Sequence, residues 1–292
     1  MQPVTSAPTV SIGGELTTGR IGFGTLQLTG PGEWGPPSDP RGAVRLLRRA
    51  VDLGVRFIDT ADSYGPFVTD QLIREALFPY PEDLIIATKV GQSRQGPGQW
   101  TALGRPEYLR QQVELSLRFL GLDTIDLLQL HRIDPKVPLD DQIGVLADLQ
   151  QEGKIRHIGL CKVTVEQIES ARQVAPIATV QNLYNLSDQS SESVLNYAER
   201  HGITFIPWYP LATGKLAVHG GPLDTLARTL GHTPSQLALA WLLHRSPVIL
   251  PIPGTTSQDH LEENVASAQL TLSPSDYTVI KELATAQQHG TM

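Results

Sequence analysis

Asp59, Tyr64, Lys89 and His131 are the residues of this chain whose types and spacing suit shared chemistry. Each lies just beyond a short apolar run: Val55-Arg56-Phe57-Ile58, Leu84-Ile85-Ile86-Ala87 or Ile125-Asp126-Leu127-Leu128-Gln129-Leu130. A carboxylate, a phenol, an ammonium and an imidazole in one pocket suit the reduction of a carbonyl, in which hydride reaches carbon while an acid protonates oxygen. Tyr64 is the candidate acid. A free phenol has a pKa of about 10 and a neighbouring ammonium lowers it, so Lys89 is expected to bring the Tyr64 hydroxyl down. Asp59 would hold that ammonium, and His131 would hydrogen-bond the carbonyl oxygen or relay a proton to Tyr64. Taken singly, each has a plainer reading: Asp59 caps a turn, Tyr64 packs before Gly65-Pro66, Lys89 is a solvated charge and His131 a core residue. Their common position after successive strands is what favours catalysis.

That position depends on the elements around them. Val10 to Phe23 alternates around Gly13-Gly14 and reads as a hairpin leading into a first strand. Helical periodicity follows near 41–53, 68–78, 107–119, 139–152, 164–173, 190–200 and 234–244, and strand-like runs near 55–58, 84–88, 125–130, 155–160, 178–182, 203–206 and 247–250. Strictly alternating units imply βαβ crossovers and a parallel sheet, and eight strands imply closure. The expected fold is α/β, a (β/α)8 barrel with an N-terminal β-hairpin, filling residues 1–292 as one domain. Long loops rich in Gly and Pro, 29–40 and 91–106, are the natural carriers of specificity.

Composition narrows the partners. With 23 basic and 30 acidic residues, a net charge of −7 and no basic block, the chain lacks the electrostatic footprint of a nucleic-acid binder, and no nucleic-acid partner is expected. The single cysteine, Cys161, rules out an intrachain disulfide, and Met1-Gln2-Pro3-Val4-Thr5-Ser6 lacks the layout of a signal peptide. No apolar run approaches the roughly 20 residues of a membrane helix, so a cytoplasmic protein away from membranes is expected. No tight His-x-His or His-Glu-x-x-His grouping offers a metal site, which disfavours a metal-dependent hydrolase built on His131, Asp134, Asp59 and Asp62. Oligomeric state leaves no compositional trace, because interfaces and free surfaces have similar make-up.

Three motifs resemble the aldo-keto reductase superfamily: Gly54-Val55-Arg56-Phe57-Ile58-Asp59-Thr60-Ala61-Asp62-Ser63-Tyr64-Gly65, Ile86-Ala87-Thr88-Lys89 and Asp126-Leu127-Leu128-Gln129-Leu130-His131. The resemblance runs nearly end to end and implies a nicotinamide-dependent reductase of small carbonyl compounds with Tyr64 as proton donor. It also implies that strands five to eight hold the cofactor. Gln181 and Asn182 would meet the carboxamide, Trp208 would stack on the nicotinamide ring, and Tyr209, Leu211 and Gly214 would border the pyrophosphate. Gly254, Thr255, Thr256, Ser257, His260, Glu263 and Asn264 would take the adenosine phosphate end, where hydroxyls and free N–H groups at a helix start suit phosphate. The sequence departs from the common pattern in carrying Cys161-Lys162 where many members have Ser-Asn, and Gly254 and His260 where they have Lys and Arg. NADPH is the expected cofactor, with NADH possible, and Lys162 would add charge near it. Cys161 beside Lys162 has two readings, an oxidisable thiol of lowered pKa or an inert small apolar residue.

The loop Leu26 to Pro37 resembles a bacterial branch that includes pyridoxal reductases, which makes pyridoxal or another small aldehyde the candidate substrate. Trp34, Phe67 and Trp100 would wall its pocket, and Arg132 would steer an anionic group unless Asp134 neutralises it. The alternative implied by the same resemblance is a regulatory subunit that binds NADPH with little turnover.

Overall fold

The computed structural model describes residues 9–217, 220 and 222–289; the N-terminal segment read for a signal peptide lies outside them. A hairpin of β1 (Thr9–Ile12) and β2 (Leu16–Gly19) precedes β3 (Phe23–Gly24), α1 (Pro40–Asp52), β4 (Phe57–Asp59), α2 (Val68–Leu77) and β5 (Ile85–Val90). A second hairpin, β6 (Gln92–Gly96) and β7 (Gln99–Ala102), is followed by α3 (Pro106–Leu120), β8 (Ile125–Leu130), α4 (Leu139–Gln151), β9 (Ile155–Cys161) and α5 (Val165–Val174). The chain ends through β10 (Thr179–Leu183), α6 (Glu192–His201), β11 (Thr204–Trp208), α7 (Pro222–Leu230), α8 (Pro234–Arg245), α9 (Gln258–Ala266) and α10 (Pro274–His289).

Seven strands form one parallel sheet in the order β11-β10-β9-β8-β5-β4-β3. The eighth wall is an irregular segment that bridges both edges. Phe205 N donates to Val248 O and Leu250 N to Phe205 O, each at 2.9 Å, while Gly22 N donates to Pro251 O at 2.9 Å. The strand expected at 247–250 is thus reduced to the single bridge Phe205↔Ile249, yet it closes the (β/α)8 barrel. Buried Arg20 pins this segment from below through Ser246 O and Ile249 O. The 91–106 stretch, expected as a loop, holds the antiparallel β6-β7 hairpin.

Local chemistry explains the helices. Asp39 accepts from Gly42 N at 2.8 Å to start α1, with Pro40 in its first turn, and Ala43, Val44, Leu46, Leu47 and Ala50 form its buried stripe. Thr164 with Gln167, and Thr233 with Gln236, make capping boxes for α5 and α8. Gly121, at φ 71°, ends α3 in the left-handed conformation that glycine adopts without penalty. Helices α7, α9 and α10 are additional to the expected series.

Strand alternation decides what faces inward. Phe57, Ile85, Ala87, Leu127, Ile206, Leu250 and Ile252 pack inside the barrel with Val10 and Ile12 of the first hairpin, which plugs its lower end. Ile58 and Ile86, by contrast, pack toward α1 and α2, and Leu128 and Leu130 toward the helices beyond. Two residues further along the same inward faces come Asp59, Lys89, Gln129 and then His131. The apolar interior therefore ends in a polar layer at the carboxyl end of the barrel.

Candidate active site

Lys89 is fully buried and spends its three N–H groups inside this layer. Its Nζ donates to Asp59 Oδ2 at 2.5 Å, to Thr60 O at 2.8 Å and to Tyr64 Oη at 3.2 Å. The three acceptors come from the end of β4 and the turn after it, whereas Lys89 comes from the neighbouring strand β5. Since the ammonium donates to the phenol oxygen, the Tyr64 hydroxyl hydrogen is free to point elsewhere.

Burial tends to lower the Lys89 pKa, but Asp59 and Tyr64 outweigh it and the amine is raised, so it remains an ammonium. The sequence expectation for Tyr64 needs correcting. Burial is the largest influence and the Asp59 carboxylate adds to it, so the phenol is pushed up to about 12 even though Lys89 pulls it down. Tyr64 is held protonated at neutral pH. His131 is carried well below its usual pKa by burial and by the cations Lys89, Arg132 and Arg94. Its imidazole is neutral, with Nδ1 3.3 Å from Ser63 Oγ and its ring 6.0 Å, centroid to centroid, from that of Tyr64.

Gln129 is the important residue that sequence reading passed over. Its Nε2 donates to Asp59 Oδ1 at 3.0 Å, and Gln181 Nε2 donates to the same oxygen at 2.9 Å and to Gln129 Oε1 at 3.2 Å. Asp59 is thus bonded on both oxygens by three side chains. A signal for Gln129 was available: it is a polar residue within an apolar strand, two positions before His131 and so on the same face.

A cleft of about 530 Å³ runs from Asp59 and Tyr64 across the barrel mouth to α9. Ten of the residues assigned to the cofactor line it: Gln181, Trp208, Tyr209, Leu211, Gly214, Gly254, Thr255, His260, Glu263 and Asn264. Thr25, Gln27, Thr233 and Ser235 also line it and were not anticipated. A Cβ on Gly24 would meet Ile252 O at 2.7 Å, and one on Gly254 would meet Gly24 O at 2.7 Å, so the cleft floor requires glycine at both positions. Two buried polar atoms in the cleft, Trp208 Nε1 and Asn264 Oδ1, have no protein partner. An elongated polar ligand with donors and acceptors along its length fits this lining.

Other assigned residues lie elsewhere. Asn182 holds the backbone of Val163, accepting from its N at 3.0 Å and donating to its O at 2.8 Å, which spends the amide expected to meet a carboxamide. Ser257 caps α9 by accepting from His260 N, and Thr255 Oγ1 accepts from Ser257 N at 3.0 Å, while Thr256 is exposed. Lys162 is exposed and left-handed at φ 53°, and Cys161 is buried. Burial pushes the Cys161 thiol up to about 12, and the cations that pull on it are Lys89 and Arg132, not Lys162, so the reading of a lowered thiol pKa does not hold.

The expected substrate wall divides in the same way. Trp100 stands 6.5 Å from Tyr64 and 6.3 Å from His131, ring to ring, both edge-on. Trp34 lies nearby, its ring centroid 5.7 Å from the Arg94 guanidinium, which stands 3.6 Å from that of Trp100. Phe67 belongs to the outer layer instead, its ring 4.8 Å from Phe119 of α3. Arg132 donates to His131 O at 2.6 Å, while Asp134 is occupied by Gly104 N and Lys136 N at 3.0 and 2.9 Å, so the expected neutralising pair does not form. Among the described residues no group of His, Cys, Asp and Glu is placed to hold a metal, and no helix is long and apolar enough to cross a membrane.

An eight-walled parallel barrel with a polar cluster at its carboxyl mouth and a long adjoining cleft is a (β/α)8 barrel with the site architecture of an enzyme. The chain belongs to the Aldo/keto reductase family, which it matches over residues 20–285. It is 51% identical over 276 residues to an uncharacterized oxidoreductase of Schizosaccharomyces pombe, covering 94% of this chain and 90% of the relative. It is 44% identical over 266 residues to pyridoxine 4-dehydrogenase of Escherichia coli, covering 89% and 93%. The crystal structure of an aldo-keto reductase from Klebsiella pneumoniae in complex with NADPH superposes with a TM-score of 0.81 at 26% identity, covering 96% of this chain and 95% of that one. Membership assigns the activity class, nicotinamide-dependent reduction of carbonyl compounds.

Proposed function

We propose that this chain reduces small aldehydes, with pyridoxal the leading candidate, to alcohols at the expense of NADPH, and that Tyr64 supplies the proton. The observation that carries this reading is the Lys89 Nζ donating to Tyr64 Oη at 3.2 Å beside the cleft. The relative named pyridoxine 4-dehydrogenase supports the substrate class.

Bound reduced nicotinamide supplies hydride to the carbonyl carbon. Tyr64 gives its hydroxyl proton to the carbonyl oxygen as the C–H bond forms, and the resulting phenolate sits against an ammonium already in place. Lys89 needs no rearrangement to meet that charge, because Asp59 and Thr60 fix its other two N–H groups. Neutral His131, with Nδ1 turned to Ser63, offers Nε2 to the carbonyl oxygen. Trp100 closes one side of the substrate pocket.

For the cofactor, Trp208 is the stacking face and Asn264 the acceptor at the adenosine end. Gln181 has its N–H groups engaged with Asp59 and Gln129, so it offers the carboxamide its carbonyl oxygen, a task Asn182 is too occupied to share. His260, Thr255 and exposed Thr256 are the groups nearest in kind to a 2′-phosphate site, which favours NADPH over NADH.

The test is oxidation of NADPH and NADH by the purified protein with pyridoxal, methylglyoxal, nitrobenzaldehyde and simple ketones. Turnover of an aldehyde with higher kcat/KM for NADPH is expected. Equal efficiency with NADH would refute the cofactor preference, and tight NADPH binding without turnover of any carbonyl would favour a regulatory cofactor-binding protein.

A further inference from the structure

We propose that Arg94 is a positioning residue that clamps the three loops of the substrate wall and thereby sets the specificity of the pocket through Trp100. The inference rests on the reductase reading and adds a residue that neither the sequence motifs nor the family match singles out.

Arg94 lies on β6, in the hairpin that follows the third barrel strand. All five of its N–H donors meet backbone carbonyls. Nη1 donates to Glu33 O at 2.7 Å and Ser63 O at 2.8 Å, Nη2 to Gly32 O at 2.7 Å and Gly96 O at 3.4 Å, and Nε to Gln99 O at 3.0 Å. These carbonyls belong to the loop after the first strand, the turn after the second and the hairpin itself. No lysine can replace this planar fork.

The guanidinium also lies 3.6 Å from the ring centroid of Trp100 and 5.7 Å from that of Trp34. It therefore fixes the indole that stands edge-on to both Tyr64 and His131. Ser63, whose carbonyl it holds, is the residue whose hydroxyl meets His131 Nδ1. The loops are joined further by Gly98 N donating to Gly32 O at 2.8 Å and Gly35 N to Gly65 O at 2.9 Å. One side chain thus ties the wall of the pocket to the imidazole behind it.

Arg94→Lys keeps the charge but loses the fork and the stacking face. The expected result is a KM for pyridoxal raised roughly tenfold, a Kd for NADPH within about twofold of the native value, and faster hydrogen exchange in 30–35 and 98–102 together. Added to Trp100→Ala, the substitution should cost less than about twofold more in KM, because it acts through the missing indole. Trp100→Ala alone should raise the same KM and leave the 30–35 amides protected, since Arg94 still holds those carbonyls; this variant carries the test if Arg94→Lys does not fold. Independent multiplication of the two KM effects, unchanged exchange in either segment after Arg94→Lys, or lost protection at 30–35 in Trp100→Ala would overturn the clamp. Absence of carbonyl turnover by the native protein would overturn the reductase reading instead, and the exchange measurements would still decide on the clamp.

Discussion

Lys89 Nζ donates to Tyr64 Oη at 3.2 Å while its remaining N–H bonds are committed to Asp59 and Thr60. This arrangement makes the phenol an acceptor on one side and leaves its hydrogen free on the other, where under the proposed function it goes to the substrate oxygen. Tyr64→Phe and Lys89→Met should each lower kcat by roughly 10²- to 10⁴-fold, the usual worth of a positioned acid. NADPH binding, followed by quenching of protein fluorescence, should change little in Tyr64→Phe. A Tyr64→Phe variant that kept about half the native kcat would remove the phenol from the mechanism.

The same pair sets the pH response. A donor acts in its protonated form, and Tyr64 at about 12 stays protonated throughout the neutral range. His131, lowered well below its usual value, stays neutral there and becomes charged only on the acid side. The reductive kcat should therefore be flat through neutral and mildly alkaline pH. A sigmoidal fall centred near pH 7 in a steady-state profile would show that one of the two titrates where the structure says it does not.

Gln129 holds Asp59 Oδ1 together with Gln181. Gln129→Leu removes a buried amide and leaves Asp59 and Gln181 each short of a partner, at a cost of about 1–3 kcal/mol in stability. Because Asp59 orients Lys89, kcat should fall roughly tenfold with little change in KM. Chemical denaturation and steady-state kinetics check the two effects separately. Native kcat in this variant would show that Lys89 is held without this network.

Asp62 is buried in the turn between β4 and α2, with Oδ1 without a hydrogen-bond partner and Oδ2 accepting from Gln112 Nε2 at 2.9 Å. Burial first, then the Asp70 carboxylate, raises it to about 8. An unfolded Asp titrates at about 3.9, so between those values the folded chain binds a proton that the unfolded chain lacks. Stability contributed by this group is present at acid pH and is lost as pH rises from about 4 to about 8. Asp62→Asn should be near native in Tm at or below about pH 4 and more stable by several degrees at about pH 8. Some slope should persist, because Asp70, raised to about 7 chiefly by burial, acts with the same sign. Identical Tm profiles for the two proteins would contradict this.

Cys161 is buried, its Sγ 3.7 Å from Gln129 Oε1, and its pKa is pushed up to about 12. Thiolate is the reactive form, so iodoacetamide at neutral pH should leave the native protein unlabelled by mass spectrometry and fully active. Labelling should appear only with unfolding. Rapid native labelling would reopen the case for a redox role.

Much of the polar layer at the barrel mouth is legible in the chain because strands have a period of two. Asp59, Lys89 and His131 end apolar runs, and chemistry at the strand ends of a barrel follows from that geometry. Capping pairs such as Thr164 with Gln167, and Pro40 or Gly121 at helix ends, mark boundaries locally for the same reason: each satisfies backbone groups within a few residues. The first and last barrel walls are less legible. Phe23–Gly24 and the bridge at Ile249 are too short and irregular to show a period, and closure comes from long-range bonds such as Gly22 N to Pro251 O.

The sequence by itself determined the barrel, the order of its units and the acid, phenol, ammonium and imidazole at its mouth. Only the tertiary structure decided that Tyr64 is raised and not lowered, since that balance depends on how completely burial removes water from the phenol relative to the pull of one ammonium. It alone turned Phe67 to the outer layer and committed Asn182 to Val163. It also bonded Gln129 to Asp59 and set Arg94 beside two indoles. Such partnerships join residues far apart in the chain, and their geometry exists only once the strands are in register.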